Sequence, residues 1–391
     1  EPRMSDVVGI EKITDRAGTG APDFTNGFNV AGSDSGISPH AHTESANEPS
    51  SPSNGDAWWD SDNDIYKVYM NNEWKDWLGT TAPSITWFGD RAIIWNASSG
   101  ASSNYGNNIE YFDITTTGNA SAFGNQLATT QNVGTGGDRA FSNGSRIVCC
   151  IYRTGSDGLE YITSSTLGNA TDFGNVQSWE SGHTSVSDGT NGYHGAGNGT
   201  NSYENEIQKT VIATLGNAVD SGYDFTSSMR GAGTWGNTAR GVFAGDSIAG
   251  PSNQITYIAF PLGANAADFG DLTLGRNYPS GGGDTTRAVF SSGWNSNNSS
   301  GSRAVNTIDY ITIGTTGNAT DFGDLNVATS ENGSASNATR VCMCNGYYDH
   351  SGAGRTDRID YVTTQTTGNA TDFGNMTGAG SQAEGSSGAA S

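Results

Sequence analysis

A glycine inside one recurring phrase returns at Gly118, Gly168, Gly216, Gly263, Gly317 and Gly368, at intervals of 50, 48, 47, 54 and 51 residues. In its fullest form the phrase reads Thr-Thr-Gly-Asn-Ala-Thr-Asp-Phe-Gly-Asp-Leu, at residues 315–325. A period this long and this regular means that one supersecondary unit is stacked on copies of itself, because a single unit cannot bury its own apolar face. Six such units fill residues 84–391. Each shows three strand-like segments. The first opens on Arg and runs apolar, as in Arg91-Ala-Ile-Ile-Trp or Arg340-Val-Cys-Met-Cys, and the third unit departs with Asn191-Gly-Tyr-His-Gly-Ala-Gly. The second reads Ile-Glu/Asp-Tyr, as in Ile308-Asp-Tyr-Ile-Thr. The third is centred on a Phe. Apolar residues on both faces of the segments fit sheets packed on each side.

Composition supports an all-β reading. Gly is present 56 times and charged residues make up 15% of the chain, which suits many tight turns. Disorder is opposed by 9 Trp, 15 Tyr and 14 Phe set at regular intervals, since disordered chains are poor in aromatics. A net charge of −22 disfavours a nucleic-acid partner or an anionic membrane, both of which call for a basic footprint. No apolar run approaches the ~20 residues that span a bilayer, so no membrane insertion is expected, and no signal-peptide pattern opens the sequence at Glu1. Cys149, Cys150, Cys342 and Cys344 occupy one position range in two repeats and read as buried free thiols rather than as disulfides or metal ligands.

The period, the Gly-rich exit from an apolar strand, the Ile-x-Tyr strand and the basic residue that opens each unit resemble kelch-type repeats. That resemblance implies a six-bladed β-propeller with four strands per blade. Two features depart from it: the Gly-Gly doublet is mostly absent and Phe stands for Trp. A right-handed β-solenoid is the alternative. On the propeller reading Phe123, Phe173, Phe225, Phe269, Phe322 and Phe373, with Tyr111, Tyr161, Tyr257, Tyr310 and Tyr361, form inter-blade core. The repeated Arg91, Arg146, Arg240, Arg287 and Arg340 pair with the Asp of an Asp-Phe-Gly segment or cap strand carbonyls. A ring of these arginines lining a central channel is a further alternative.

Residues 1–80 carry no repeat. The stretch 8–28, from Val8-Gly-Ile-Glu-Lys to Phe24-Thr-Asn-Gly-Phe, is similar to a segment of structural proteins from tailed phages, marine cyanophages among them. Residues 52–77, with Gly55-Asp-Ala-Trp-Trp-Asp and Ile65-Tyr-Lys-Val-Tyr, resemble a small β module of phage tail fibres. The resemblance implies a virion-attachment segment at 1–31; residues 32–55, rich in Ser, Gly and Pro, read as an extended linker, and the aromatics of 56–80 as the core of a small β-meander. The resemblance also implies a virion location on tail or capsid exterior, other virion proteins as partners of the N-terminal region, and a homo-oligomer on the particle. A host-surface glycan or protein would be bound by the propeller, as in a tail fibre or adhesin. A capsid decoration or head-fibre protein is the second reading.

Candidate chemistry is sparse. Asp60-Ser-Asp-Asn-Asp opens like a calcium loop, but Ile65 replaces the required Gly and Asn71 the terminal Glu, so a hairpin turn is expected. His40-Ala-His42 is a pair whose alternation on a strand could meet a transition metal on a threefold axis, against plain linker histidines. A glycan-processing enzyme would need placed carboxylates, and Glu110 and Glu160 stand where other repeats have Asp309 and Asp360, so they read as scaffold. The expectation is a non-enzymatic binding module with no cofactor.

Overall fold

The computed structural model of the chain describes residues 42–45, 49–53, 56–60, 65–70, 73–76, 88–95, 98–99, 107–127, 139–153, 156–177, 180–199, 203–248, 250–297, 303–349 and 354–390. They fall into two compact units, 1–84 and 85–391, and contain no helix. The attachment segment 1–31, His40 and the Asp/Asn turn at 61–64 lie outside the described residues.

In the first unit Ala57–Asp60, Ile65–Met70 and Glu73–Asp76 form an antiparallel meander. Its aromatics converge: Trp74 meets Trp58 edge-on at 5.5 Å and Tyr69 at 5.3 Å, and Lys67 lies 4.8 Å over the Trp58 ring. The stretch read as a linker is partly sheet, because His42–Ser45 adds in parallel to Ala57–Asp60 as a fourth strand. His42 is thus a strand residue.

The second unit is a six-bladed β-propeller. Each blade has four main antiparallel strands, one more than the repeat suggests. The strands missing from the sequence reading are the innermost ones: Ala140–Ser142, Thr184–Ser187, Gly233–Gly236, Ser280–Gly283, Gly333–Ser336 and Glu384–Gly388. They are rich in Gly, Ser and Thr, with single larger residues such as Phe141, Val186 and Trp235, and so are too short and too small to show an apolar alternation. The physical reason is convergence on the axis. A Cβ on Gly281 would fall on the Thr234 backbone and one on Gly385 on the Ser334 backbone, so neighbouring strands touch main chain to main chain. Short hydroxyls then tie the ring. Ser187 Oγ donates to the Ser142 carbonyl (2.7 Å), Thr234 Oγ1 to Ser185 (2.6 Å), Ser387 Oγ to Ser336 (2.5 Å), and Ser334 Oγ to Gly281.

The phrase that defined the period is a latch between blades. The Asn that follows its glycine, directly or in the fourth blade after Ala264, accepts the backbone N–H of the preceding blade's outer strand in all six interfaces. The acceptor–donor pairs are Asn169–Asn125, Asn217–Asn175, Asn265–Asp224, Asn318–Asp271, Asn369–Asp324 and Asn119–Asn375, at 3.0–3.1 Å. The glycine of Phe-Gly faces that turn. A Cβ at Gly124, Gly174, Gly270, Gly323 or Gly374 would strike the carbonyl of the facing turn glycine, such as Gly368 for Gly323.

The repeated arginines complete the interface from the other side. Each guanidinium stacks on its own blade's Tyr, at 5.2 Å for Arg91–Tyr111 and 4.5–4.8 Å for the others. The Tyr meets its Phe edge-on at 5.7–6.0 Å. The same arginine caps a carbonyl of the next blade: Arg91 to Ser164, Arg146 to Ile212, Arg240 to Ile313, Arg287 to Thr364, and Arg340 to Ile114 and Thr115. Of the two roles read for these residues the structure shows the carbonyl cap. Five of the six Phe are equivalent. Phe225 is not, because the third blade inserts a residue, Tyr223 pairs where Gly270 does in the fourth, and Phe225 packs edge-on against Phe243 at 4.9 Å. It is nevertheless 2% exposed and part of the core. The apolar clusters lie between consecutive blades, as with Ile93, Trp95 and Phe123 against Ile147, Cys149 and Ile162.

Ring closure is made by Glu384–Gly388, which pairs with Arg91–Trp95 as the inner strand of the first blade. The close approach of the latch glycines gives a clean test. Gly323→Ala, which puts a methyl on the Gly368 carbonyl at φ +147°, is expected to cost at least about 2 kcal/mol in denaturant unfolding. Gly118→Ala, with nothing within 4 Å, should stay within about 1 kcal/mol of the parent. Equal effects would refute the steric account of the repeat glycine.

Candidate functional site

The two ends of the inner strands differ. At the end where each turns back, the repeat is strict: Asn143, Asp188, Asn237, Asp284 and Asn337 accept the backbone N–H groups of the residues two and three further on, at 2.6–3.2 Å. That is an Asx turn, the reason these two residue types recur there. At the opposite end, where the inner strands begin, the repeat lapses. One register position there holds Gly182, Gly231, Tyr278, Glu331 and Gln382 in the third to sixth and first blades, and Arg139, His183 and Arg230 stand at neighbouring positions of the same end.

Backbone contacts join them around the axis. The N–H of Gln382 donates to the Glu331 carbonyl (2.9 Å), that of Glu331 to Tyr278 (3.4 Å) and that of Gly231 to Gly182 (3.0 Å). Tyr278, Glu331 and Gln382 all stand at positive φ, 53°, 59° and 55°. Non-glycine residues in that region carry a conformational cost, and such residues cluster where a chain must present side chains. Arg139 is locked. Its Nε donates to Glu384 Oε1 at 2.8 Å, its Nη2 to the same oxygen at 2.5 Å, and its backbone N–H to Oε2 at 2.7 Å. This buried pair joins the second blade to the closing strand, in the charge-assisted geometry that a buried carboxylate needs. Arg230 lies over Gly182, where no Cβ would fit. Arg355 is held by Ser381 Oγ (3.0 Å) and Tyr347 Oη (2.9 Å).

Glu331 sits among these groups with 4% of its surface exposed. Burial pushes its carboxyl up to about 7, against a hydrogen bond from Gln382 and the fields of Arg139, Arg355 and Arg230. At neutral pH it therefore exchanges between an acceptor-only carboxylate and an acid that can donate.

Among the described residues a cavity of about 50 Å³ lies between the inner strands, lined by residues such as Ser185, Thr234, Ser334 and Ser386 and with room for a few waters. Phe88, preceding the first blade, reaches Trp235 of the fourth at 5.7 Å and lines the same space. None of the repeated Arg, Tyr or Phe residues lines it, so the arginine-ring alternative is corrected: those guanidinia serve the blade interfaces.

Acidic side chains of the third strands do structural work. Glu160 accepts the Leu127 N–H (3.0 Å), Glu110 that of Thr377 (2.9 Å), and Asp360 the Asn326 amide (2.9 Å), each from the preceding blade. Asp309 pairs with Arg276 at 3.0 Å, both side chains fully buried.

One further cluster is metal-competent. Cys150, His183 and His194 are all buried, with donor atoms no more than 4.8 Å apart. Burial drives both imidazoles down to about 3, with His194 and Arg139 adding to the effect on His183, so both are neutral. Burial drives the Cys150 thiol up to about 12, against the field of Arg139. All four cysteines are free thiols. Of the pair singled out in the sequence, His40 is outside the described residues and His42 is described only as strand backbone. Arg139, His183 and Glu331 lie between the repeat segments, where nothing periodic marks them.

No family model and no curated protein matches the chain.

The position of Glu331 predicts a pH signature. The unfolded carboxyl releases its proton near 4.5 and the folded one near 7, so this group's contribution to stability is fully present below 4.5 and is lost as pH rises to 7. Glu331→Gln should therefore gain up to roughly 3 kcal/mol on the parent between pH 4 and pH 8, read from urea midpoints. Parallel pH profiles would show that the carboxyl is not held protonated.

Proposed function

We propose that this chain is a virion structural protein of a tailed phage, tail-fibre or adhesin-like, whose propeller binds the host surface non-covalently. The N-terminal region, on this reading, holds it to other virion proteins. The observation that carries the reading is the lapse of the repeat at one end of the axis. A scaffold residue recurs from blade to blade, whereas a ligand has no sixfold symmetry and calls for different side chains around it. Arginines 230 and 355, both partly exposed beside a protonatable Glu331, suit a ligand with an anionic group and neighbouring hydroxyls, as acidic glycans have. With a chain charge of −22, such a basic focus also supplies the local attraction that the rest of the surface lacks. Affinity for each copy would be weak, and avidity would come from copy number on the particle.

A second reading is favoured by a different observation. Leu167 and Leu215, each 53% exposed, stand in the turns of the second and third blades where the first, fifth and sixth have Thr117, Thr316 and Thr367. Exposed apolar turns on neighbouring blades suit a surface laid against another virion protein, as in a capsid decoration or head-fibre protein with an architectural propeller.

The full-length chain, fluorescently labelled, is expected to bind acidic oligosaccharides on a glycan array. The double variant Arg230→Ala/Arg355→Ala should lose at least about tenfold in affinity, about 1.4 kcal/mol. Equal binding by the variant, or release of sugar from the array, would overturn the binding-module reading. Virions labelled with an antibody to residues 85–391 distinguish the two placements, since label confined to the capsid refutes the tail location.

A further inference from the structure

The third blade breaks the repeat in its interior as well as at its rim. At the fourth residue of the second strand, counting from the repeated Arg, the other blades place Ile94, Cys149, Phe243, Phe290 and Met343, all buried and apolar. The third blade places His194 there, 0% exposed. An imidazole in an apolar site loses its hydration and destabilises the fold unless its nitrogens are engaged. A second departure accompanies it. Where the other third strands have Phe112, Ile162, Ile258, Ile311 and Val362, the third blade has Thr210, whose Oγ1 lies 2.8 Å from His194 Nε2. With Nε2 so engaged, Nδ1 of His194 is buried and has no hydrogen-bond partner. Beside it stand His183, at the start of the same blade's inner strand, and Cys150, at the facing position of the second blade.

We propose that Cys150, His183 and His194 form an inter-blade site for a single Cu(I) ion. The donor set is the one that trigonal copper sites use, a thiolate and two imidazoles. Thr210 does what outer groups do for metal-bound histidine: it takes the Nε2 hydrogen, fixes the tautomer and leaves the Nδ1 lone pair for the ion. Metal–nitrogen and metal–sulfur bonds of about 2.0 and 2.3 Å place trigonal donors about 3.7 Å apart, so the widest pair closes by about 1 Å at most when the ion binds. Charge selects the ion. Binding releases the Cys150 proton to solvent, and Cu(I) with one thiolate and two neutral imidazoles is electrically neutral. Zn(II) would leave a net positive charge inside the protein within the field of Arg139, and it favours a fourth ligand.

The other blades supply the variants. His194→Phe and Cys150→Ala copy residues that the same positions already hold in the fourth blade, Phe243 and Ala244. Cys344→Ala removes the buried thiol equivalent to Cys150 in the sixth blade and serves as the control. The reduced full-length chain is titrated anaerobically with Cu(I) against a chromogenic chelator, and the melting temperature of each apo protein is recorded. One equivalent of Cu(I) per chain is expected for the parent and for Cys344→Ala, with none for His194→Phe or Cys150→Ala although both still melt cooperatively. X-ray absorption of the loaded parent should show one sulfur and two nitrogen neighbours. Absence of competition by the parent, or one equivalent retained by His194→Phe, overturns the site. One equivalent of Zn(II) with no uptake of Cu(I) overturns the choice of ion.

Discussion

Contact between backbones of neighbouring blades is the constraint on which the rest of the propeller depends. It is made twice in each repeat, once at the axis and once at the rim. At the axis it demands strands without bulk, hence Ser280-Gly-Gly-Gly and Gly333-Ser-Ala-Ser, cross-tied by hydroxyls. At the rim it demands glycine on the outer strand, as at Gly323 against the Gly368 carbonyl, with an Asn in the facing turn to take the neighbouring N–H. Between these two contacts the blades diverge, and the wedge they leave is filled by the Arg–Tyr–Phe stacks and the aliphatic residues. The stacks are worth about 0.5–1 kcal/mol each by their cation–π component alone. The area they help to bury contributes more, at about 25 cal/mol per Å².

What the sequence disclosed follows from the same geometry. The rim latch was visible because its chemistry is local and repeats: Gly-Asn-Ala-Thr-Asp-Phe-Gly needs those residue types in that order whichever blade carries it. The second and third strands were visible through apolar runs such as Arg146-Ile-Val-Cys-Cys. The innermost strands were not, since nothing in Glu384-Gly-Ser-Ser-Gly signals a strand by alternation or by β-propensity. Their requirement, room for six backbones around one line, exists only in the assembled ring. Phe225 misled for a related reason: sequence spacing aligns it with Phe173, whereas one inserted residue moves it to a different place in the core. The His40–His42 pair attracted notice as a motif, while His183 and His194, 11 residues apart and in no motif, are brought together by folding.

Against a scaffold this repetitive, departures become informative. Arg276, Arg139 and His194 each put a large polar group where most other blades are apolar or small, and each comes with a partner: Asp309, Glu384 and Thr210. Buried polar groups that arrive in pairs have been fitted to one another, and their specificity is confined to one interface. Sixfold pseudosymmetry sets where the side chains point, and the exceptions then distinguish one blade boundary from the next.

The strand Glu384–Gly388 completes a blade whose second strand, Arg91–Trp95, was made roughly 290 residues earlier. During synthesis the first blade therefore waits, with the edge of Arg91–Trp95 unpaired, while every later blade emerges and stacks. Only a chain translated through Gly388 can satisfy that edge and give Arg139 the carboxylate it encloses. The circle thus acts as a test of completeness: a product truncated before this strand keeps an open edge and an unneutralised guanidinium, both marks that cellular quality control can act on.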